Sequence, residues 1–367
     1  MYLDHAATAR YHPLVRSFLC DLPPLLPNAS SSHKAGMQIR REVDAARKVI
    51  ADAIGVYPEE IYFTGSATEA NALVTLGLLS RGHVITSEVE HSSMEQNLLL
   101  AQNRGVRITR LPLVDGMLST EQVLEAVEED TRLVSIMSIN NEVGHRFALE
   151  GLEEELQRRN IHFHRDAVQS LGKYPFHARN LKSAVFSPHK YGSLEGVGIL
   201  YLHRDVKLPA LYGGGGHEKG LRSGTHNVPA ILSAGFVLEA ILPHMESYEE
   251  KVRAMRSEVL RAGEELGASS LSLDSGSAYV LNLTFPDLPA EVIVNALSAE
   301  GIYISAGSAC SSAGKSVSRV IRGFTDDPMK ERGAVRLSFS PFDSLEDVTQ
   351  ACQKMKEVIT ELRRGIF

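Results

Sequence analysis

Cysteine is scarce. The three cysteines in 367 residues, at positions 20, 310 and 352, cannot build a disulfide framework, so the fold must close on apolar packing and any working thiol acts alone. That points to a reducing compartment. Positive charge is also short: 38 Lys and Arg against 45 Asp and Glu leave a formal charge of −7 and an isoelectric point of about 6.1. Such a surface favours neither a nucleic-acid backbone nor an anionic membrane, and no direct nucleic-acid partner is expected. Long apolar runs are missing too. Nowhere do about 18 apolar residues follow one another, the least that a spanning helix needs, and the greasiest run, 230–242, is broken by Glu239. The opening Met1-Tyr2-Leu3-Asp4-His5 has neither the basic start nor the apolar core of a secretory leader. A membrane role has no support, and the expected location is the cytoplasm.

What is present is enough apolar material, 43% of the chain, for two cores rather than one. Seven β-rich runs, 60–64, 83–86, 107–111, 132–139, 161–164, 183–187 and 197–202, alternate with helix-length segments. The clearest helix spans 42–54, with Val43, Ala46, Ile50, Ala53 and Ile54 on one face and Gly55 suited to its end. This alternation predicts an α/β architecture, a mostly parallel seven-stranded sheet between helices, with any ligand at the carboxyl ends of the strands. From about Ser247 the texture changes to a smaller α+β unit: helix 248–266, strand 279–285, helix 289–300, a small-residue loop 305–314, strand 334–338 and a last helix 344–363. There is no internal repeat, and the only biased stretches are Gly213 to Gly216 and the Ser/Ala/Gly loop around Cys310.

Three segments carry candidate chemistry. Gly65-Ser66-Ala67-Thr68-Glu69 follows a strand and opens a helix, so it reads either as an anion cup, with Ala67 and Thr68 at the helix start, or as a plain Ser/Thr cap. Ile161-His162-Phe163-His164-Arg165-Asp166 sets His162, His164 and Asp166 on one strand face. Metal-dependent hydrolases begin a site in this way, but Ala167 stands where they usually continue with His, and an Asp anchoring a loop explains the segment as well. Ser187-Pro188-His189-Lys190 puts a hydroxyl, an imidazole and an amine directly after a strand. A lysine there serves as a Schiff-base nucleophile if burial or nearby cations lower its pKa, and as a solvated charge otherwise. Amine, carboxylate and anion cup on one sheet edge fit pyridoxal 5′-phosphate, with no metal required.

The chain also resembles a family. Tyr2-Leu3-Asp4-His5-Ala6-Ala7-Thr8, Thr64-Gly65-Ser66-Ala67-Thr68-Glu69, Glu90-His91, Asn140-Asn141-Glu142-Val143-Gly144, Asp166-Ala167-Val168-Gln169-Ser170, Ser187-Pro188-His189-Lys190, Gly214-Gly215-Gly216-His217-Glu218, Arg222-Ser223-Gly224-Thr225 and Ser308-Ala309-Cys310 are similar, nearly end to end and in the same order, to the cysteine desulfurases of fold-type I. The resemblance implies that Lys190 carries the cofactor covalently, Asp166 holds the pyridinium nitrogen, His91 stacks on the ring and Gln169 meets the ring hydroxyl. It assigns the phosphate to Thr68, Ser187 and His189, joined by Thr225 from a second subunit, hence a homodimer. Asn141 and Arg336 match the residues that bind the substrate carboxylate, a task suited to a guanidinium fork. Cys310 matches the cysteine that takes sulfur from L-cysteine as a persulfide.

The Ser-x-Gly-Ser-Ala-Cys form resembles the group that delivers sulfur to a protein acceptor in iron–sulfur cluster assembly or tRNA thiolation. Cys20 and Cys352 have no such setting and read as structural. The implied division is a large cofactor-binding domain, 13–246, and a small domain, 1–12 with 247–367, carrying the Cys310 loop. Departures from the family pattern stand at Thr8-Ala9-Arg10, Pro27-Asn28-Ala29-Ser30, Ala72 and Pro188. They touch the geometry near substrate and phosphate without removing a reactive group. A selenocysteine lyase or another fold-type I enzyme is the alternative; an aminotransferase has no need of Cys310, and a scaffold without turnover has no need of Lys190, Asp166 and His91 together.

Overall fold

The computed structural model describes residues 1–307 and 318–365. Seven strands, β1 (Ile61–Thr64), β2 (His83–Ser87), β3 (Arg107–Leu111), β4 (Thr131–Ser135), β5 (His162–Asp166), β6 (Ser183–Phe186) and β7 (Gly198–Leu202), form one sheet in the order β1-β7-β6-β5-β4-β2-β3. The run from β6 to β3 is parallel, as the alternation of strands and helices requires. Only β7 runs the other way, pairing antiparallel with both β1 and β6.

Alternate residues of each strand feed opposite layers. Phe163, Ala184, Phe186, Ile199 and Tyr201 pack with the helices Lys34–Ile54 and Val228–Ile241 in the largest cluster, while Val185, Leu200 and Leu202 pack with Ala70, Leu73 and Val74 of the helix Ala67–Leu78. Both faces of the sheet are therefore covered, and its central strands are buried throughout. The helix expected from 42 begins at Lys34, because the His33 ring accepts the Gly36 amide and caps an earlier turn. Strand β4 ends at Ser135 rather than 139. Ile136 and Ser138 still donate to the carbonyls of His164 and Asp166, but the Met137 amide turns to the Glu90 side chain, which draws the chain out of the ladder.

A second apolar cluster gathers Leu3 with the helices Met245–Glu265, Ala290–Ala299 and Leu345–Arg363 around a small antiparallel sheet of β8 (Ser269–Ser270), β9 (Val280–Thr284) and β10 (Ala334–Ser338). The N-terminal residues belong beside this sheet: Asp4 bridges to Ser338 and Tyr2 to Tyr303. The helical stretch 228–265 is long and apolar enough to cross a membrane by length and composition. Its apolar residues Ile231, Ala234, Val237 and Leu238 are spent inside the main core.

Candidate active site

The carboxyl ends of the parallel strands open on one cavity. β1 leads through Gly65 and Ser66 into Ala67 and Thr68, β2 into His91, β4 into Asn141 and β6 into Ser187, His189 and Lys190, while β5 ends in Asp166. With Ala6 and Gln169 these residues line a space of about 230 Å³.

At the helix start, the two readings of the Gly-Ser-Ala-Thr segment fall on different residues. The Ser66 hydroxyl accepts the Glu69 amide and caps the helix, whereas Thr68 faces the cavity. A twelve-residue helix thus points the positive end of its dipole at the space. Glu69 stiffens the turn by accepting from the Gly65 amide at 2.7 Å and from Arg222 at 2.9 Å. Burial alone would raise the Glu69 carboxyl; hydrogen bonds from Arg222, Tyr212 and Gly65 outweigh it and hold the group low. Gly198 of β7 passes directly beneath, where a Cβ would stand 2.3 Å from the Ser66 carbonyl carbon.

The Lys190 ammonium donates to the carbonyls of Ala6 at 2.8 Å and Ala7 at 2.5 Å. Gln169 shares the Ala6 carbonyl through Nε2 and accepts from Lys173 on Oε1 at 2.7 Å. Burial first, then the charges of Lys190 and Arg336, push the Lys173 amine down to about 7. His189, 3.2 Å from the Thr8 hydroxyl, is pushed down to about 4 by burial and by Lys190. His91 is also held low by burial, against the pull of Asp166. Asp166 is 4% exposed and accepts from Asn71 at 3.0 Å and from the Val168 amide at 3.2 Å.

The strand face that suggested a metal is occupied otherwise. His162 and His164 both reach the Ser183 hydroxyl at 2.7 Å, and the second nitrogen of His164 lies 3.1 Å from the Asn71 carbonyl oxygen. Burial pushes both rings down to about 3, so they are neutral. Among the described residues no cluster of three His, Cys, Asp or Glu side chains is arranged to hold a metal.

Two assigned residues stand outside the cavity lining. Arg336, in β10, is 1% exposed and joins Asp4 at 2.6 Å and the Asn141 carbonyl at 3.1 Å. Its Nε and the Asn141 Oδ1 are buried without a partner. Thr225 lies behind the anion cup, in a separate space of about 50 Å³ with Thr64, Gly65 and Arg222. Cys310 falls outside the described residues. Cys352 is buried, its thiol pushed up to about 11, but Cys20, expected to be structural, is exposed on the helix Leu14–Asp21. Its one-turn neighbours on that short helix face solvent, so no core closes over it.

Residues 1–350 match the model of the class-V aminotransferase family. The cysteine desulfurase IscS of Serratia proteamaculans is 34% identical over 381 residues, covering 99% of this chain and 93% of the relative. The chain is a member of the cysteine desulfurase family. The solved structure of a NifS-like protein superposes with a TM-score of 0.91 at 29% identity, covering 98% of this chain and 99% of that one. SspA in complex with cysteine superposes at 0.81 with 28% identity, over 94% and 99%.

Cysteine desulfurases depend on pyridoxal phosphate, and the donor set here suits that group. A half-buried amine, a nearly inaccessible carboxylate and a helix start with hydroxyl and imidazole groups share one space, and the unpartnered Asn141 Oδ1 is left to meet a donor. Reading the sequence as a desulfurase passed over Asp4, Asn71 and Lys173. The only signal for Lys173 was its place four residues after Gln169, and Asp4 was already part of the first motif; Asn71 gave none.

Proposed function

We propose that this cysteine desulfurase converts L-cysteine to L-alanine and passes the sulfur to Cys310 as a persulfide, using pyridoxal phosphate, as a cytoplasmic homodimer. The observation that supports this reading most is the company of the Lys190 amine and the Asp166 carboxylate in one cavity of about 230 Å³ beside a helix N-terminus. Thr68, Ser187, His189 and the amides at Ala67 and Thr68 would hold the phosphate, with the partner subunit's Thr225. Asp166 and Gln169 would hold the ring, His91 would cover it and Lys190 would bind it covalently. Bound there, pyridoxal phosphate supplies an electron sink for the pair left when a substrate carbon loses its proton.

The chain's own groups do the rest. Asn141 and Arg336 hold the substrate carboxylate, Arg336 turning its fork from Asp4 to the planar anion. Lys190 removes the Cα proton, and His91, neutral because it is buried, returns protons later. The Cys310 thiolate attacks the substrate Sγ. A sulfur–sulfur bond forms, the Cβ–Sγ bond breaks with its electron pair left on Cβ, and a proton completes the methyl group of alanine. A free thiol titrates at about 8.5, so a base or the substrate thiol must first take its proton. Support for delivery to this site comes from the residues that flank the interval. Ser305 pairs with Arg336, and the Ser318 hydroxyl donates to Glu142 beside Asn141 at 2.7 Å. The persulfide then goes to a protein acceptor in iron–sulfur cluster assembly or tRNA thiolation.

Mass spectrometry without reductant tests the reading. After L-cysteine, the peptide containing Cys310 should gain about 32 Da, one sulfur, and Cys310→Ala should make alanine without that gain only at a residual level. Sulfur on Cys20 or Cys352 instead, or undiminished desulfuration by Cys310→Ala, overturns it.

A further inference from the structure

Asn71 is wholly buried in the helix Ala67–Leu78, and its amide meets three side chains, two from β5 and one from the helix Ser92–Gln102. Oδ1 lies 3.1 Å from His164 Nε2, while Nδ2 donates to Asp166 Oδ2 at 3.0 Å and to Ser93 Oγ at 2.9 Å. Two further links extend the chain. His164 Nδ1 and His162 Nε2 both stand 2.7 Å from Ser183 Oγ, and Ser93 Oγ stands 2.8 Å from His91 Nδ1.

Donor and acceptor counting orients every member. A carboxylate only accepts, so the amide must turn Nδ2 to Asp166 and Oδ1 to His164. His164 therefore carries its proton on Nε2, and its bare Nδ1 accepts the Ser183 hydroxyl proton. The Ser183 oxygen in turn accepts from His162 Nε2–H. Burial keeps both rings neutral, which leaves His164 Nδ1 bare to accept from the Ser183 hydroxyl. The second Nδ2 hydrogen of Asn71 goes to Ser93 Oγ, whose proton then points at His91 Nδ1. That nitrogen also accepts the Ser93 amide at 3.1 Å, so it is an acceptor twice over and the His91 proton sits on Nε2.

We propose that Asn71, oriented by His164 and Ser183, is a positioning residue that sets the rotamer of Asp166 and, through the Ser93 hydroxyl and together with the Ser93 amide, the tautomer of His91. The claim rests on the reading of Asp166 and His91 as the groups that hold and cover the ring. One buried amide thus coordinates both, and it does so without touching substrate. The His-x-His-x-Asp run is in this account a hydrogen-bond line that ends on the carboxylate, built from residues of β5, β6 and the cup helix.

The test compares wild type, Asn71→Leu, His164→Gln and His164→Leu, all loaded with pyridoxal phosphate. Glutamine can present an N–H where the His164 Nε2–H stands; leucine cannot. Nitrogen-15 NMR of labelled histidine should show His91 protonated on Nε2 alone in the wild type and in His164→Gln, and a mixture of tautomers in Asn71→Leu. The kcat for alanine formation should fall about tenfold to a hundredfold in Asn71→Leu, the worth of one or two hydrogen bonds to a charged group, with KM for L-cysteine within about threefold. His164→Leu should lose most of that and His164→Gln should restore it. An unchanged His91 tautomer and kcat in Asn71→Leu, or equal loss in both His164 variants, overturns the proposal. The NMR readout is repeated without cofactor. A wild type that binds cofactor and makes no alanine refutes the desulfurase reading, while the tautomer shift in the unloaded protein still judges the positioning claim by itself.

Discussion

Replacing Lys173 with methionine should flatten the pH dependence of stability above neutrality. Lys173 is 6% exposed and donates to Gln169 Oε1. Burial brings its amine to about 7 from the ordinary 10.5. Between those values the unfolded chain binds a proton that the folded protein does not, so the folded state gains stability as pH rises, at about 1.4 kcal/mol per unit. The penalty is full below 7 and gone above 10.5. Integrated from pH 7 to 9, the gain due to this one residue is about 2 kcal/mol, large against a typical total of about 5–15 kcal/mol. The assay is urea unfolding of cofactor-stripped protein at pH 7, 8 and 9. Every other titrating group is common to both proteins, and the lost Gln169 contact shifts the two curves by a constant. The difference in slope therefore isolates Lys173. Parallel curves for wild type and Lys173→Met would refute the reasoning.

Further outcomes follow from the same geometry. Asp166→Asn should abolish turnover and also cost about 1–3 kcal/mol in unfolding free energy, because both carboxylate oxygens accept hydrogen bonds and the amide nitrogen must face a donor; an active variant or an unchanged midpoint contradicts this. Gly198→Ala should weaken cofactor binding, read from the visible absorbance, and destabilise the fold by about 1–3 kcal/mol, since the new methyl group runs into Ser66. On acidification, His162 and His164 stay neutral to about 3 while their unfolded counterparts charge near 6.5. Stability should therefore fall as pH drops below about 6.5, by up to about 2.7 kcal/mol per unit from the two rings, and His162→Asn should remove about half of that slope in the same unfolding assay.

Strands and reactive side chains were legible because each is announced locally. A β-branched run followed by small residues marks a strand end, and Ser187 and Lys190 come directly after such a run, whereas His91 and Asn141 entered through the family resemblance. Direction is not local. Nothing within Gly198–Leu202 tells that β7 runs against β6, because a strand buried on both faces reads the same either way. The start of the helix Lys34–Ile54 was hidden for a similar reason: its cap is a histidine ring, outside the usual Ser, Thr, Asp and Asn. The expectation of a parallel run survived these gaps since the helices between β1 and β6 demand crossover connections.

The polar residues that hold the site in place were hidden more deeply. Asn71 sits among Ala70, Leu73 and Val74 on a helix whose apolar pattern it interrupts, and a lone asparagine there has no meaning until its partners are known. Those partners are Ser93, His164 and Asp166, between 22 and 95 residues away in the chain. The ambiguity of His162 and His164 had the same source. Side-chain alternation correctly put them on one face with Asp166, and a metal site or a hydrogen-bond line would use that face equally well. What decides between them is the register of the next strand, which sets Ser183 opposite His164 and offers one hydroxyl to two rings. A shift of that register by one residue would bring Ala184 to the position and turn Ser183 to the other face. His162 Nε2 and His164 Nδ1 would then be buried without a partner, a cost of about 1–3 kcal/mol each. The serine at 183 is thus what makes a buried histidine pair tolerable, and its place on β6 is fixed by strand pairing rather than by anything in the His-x-His-x-Asp run itself.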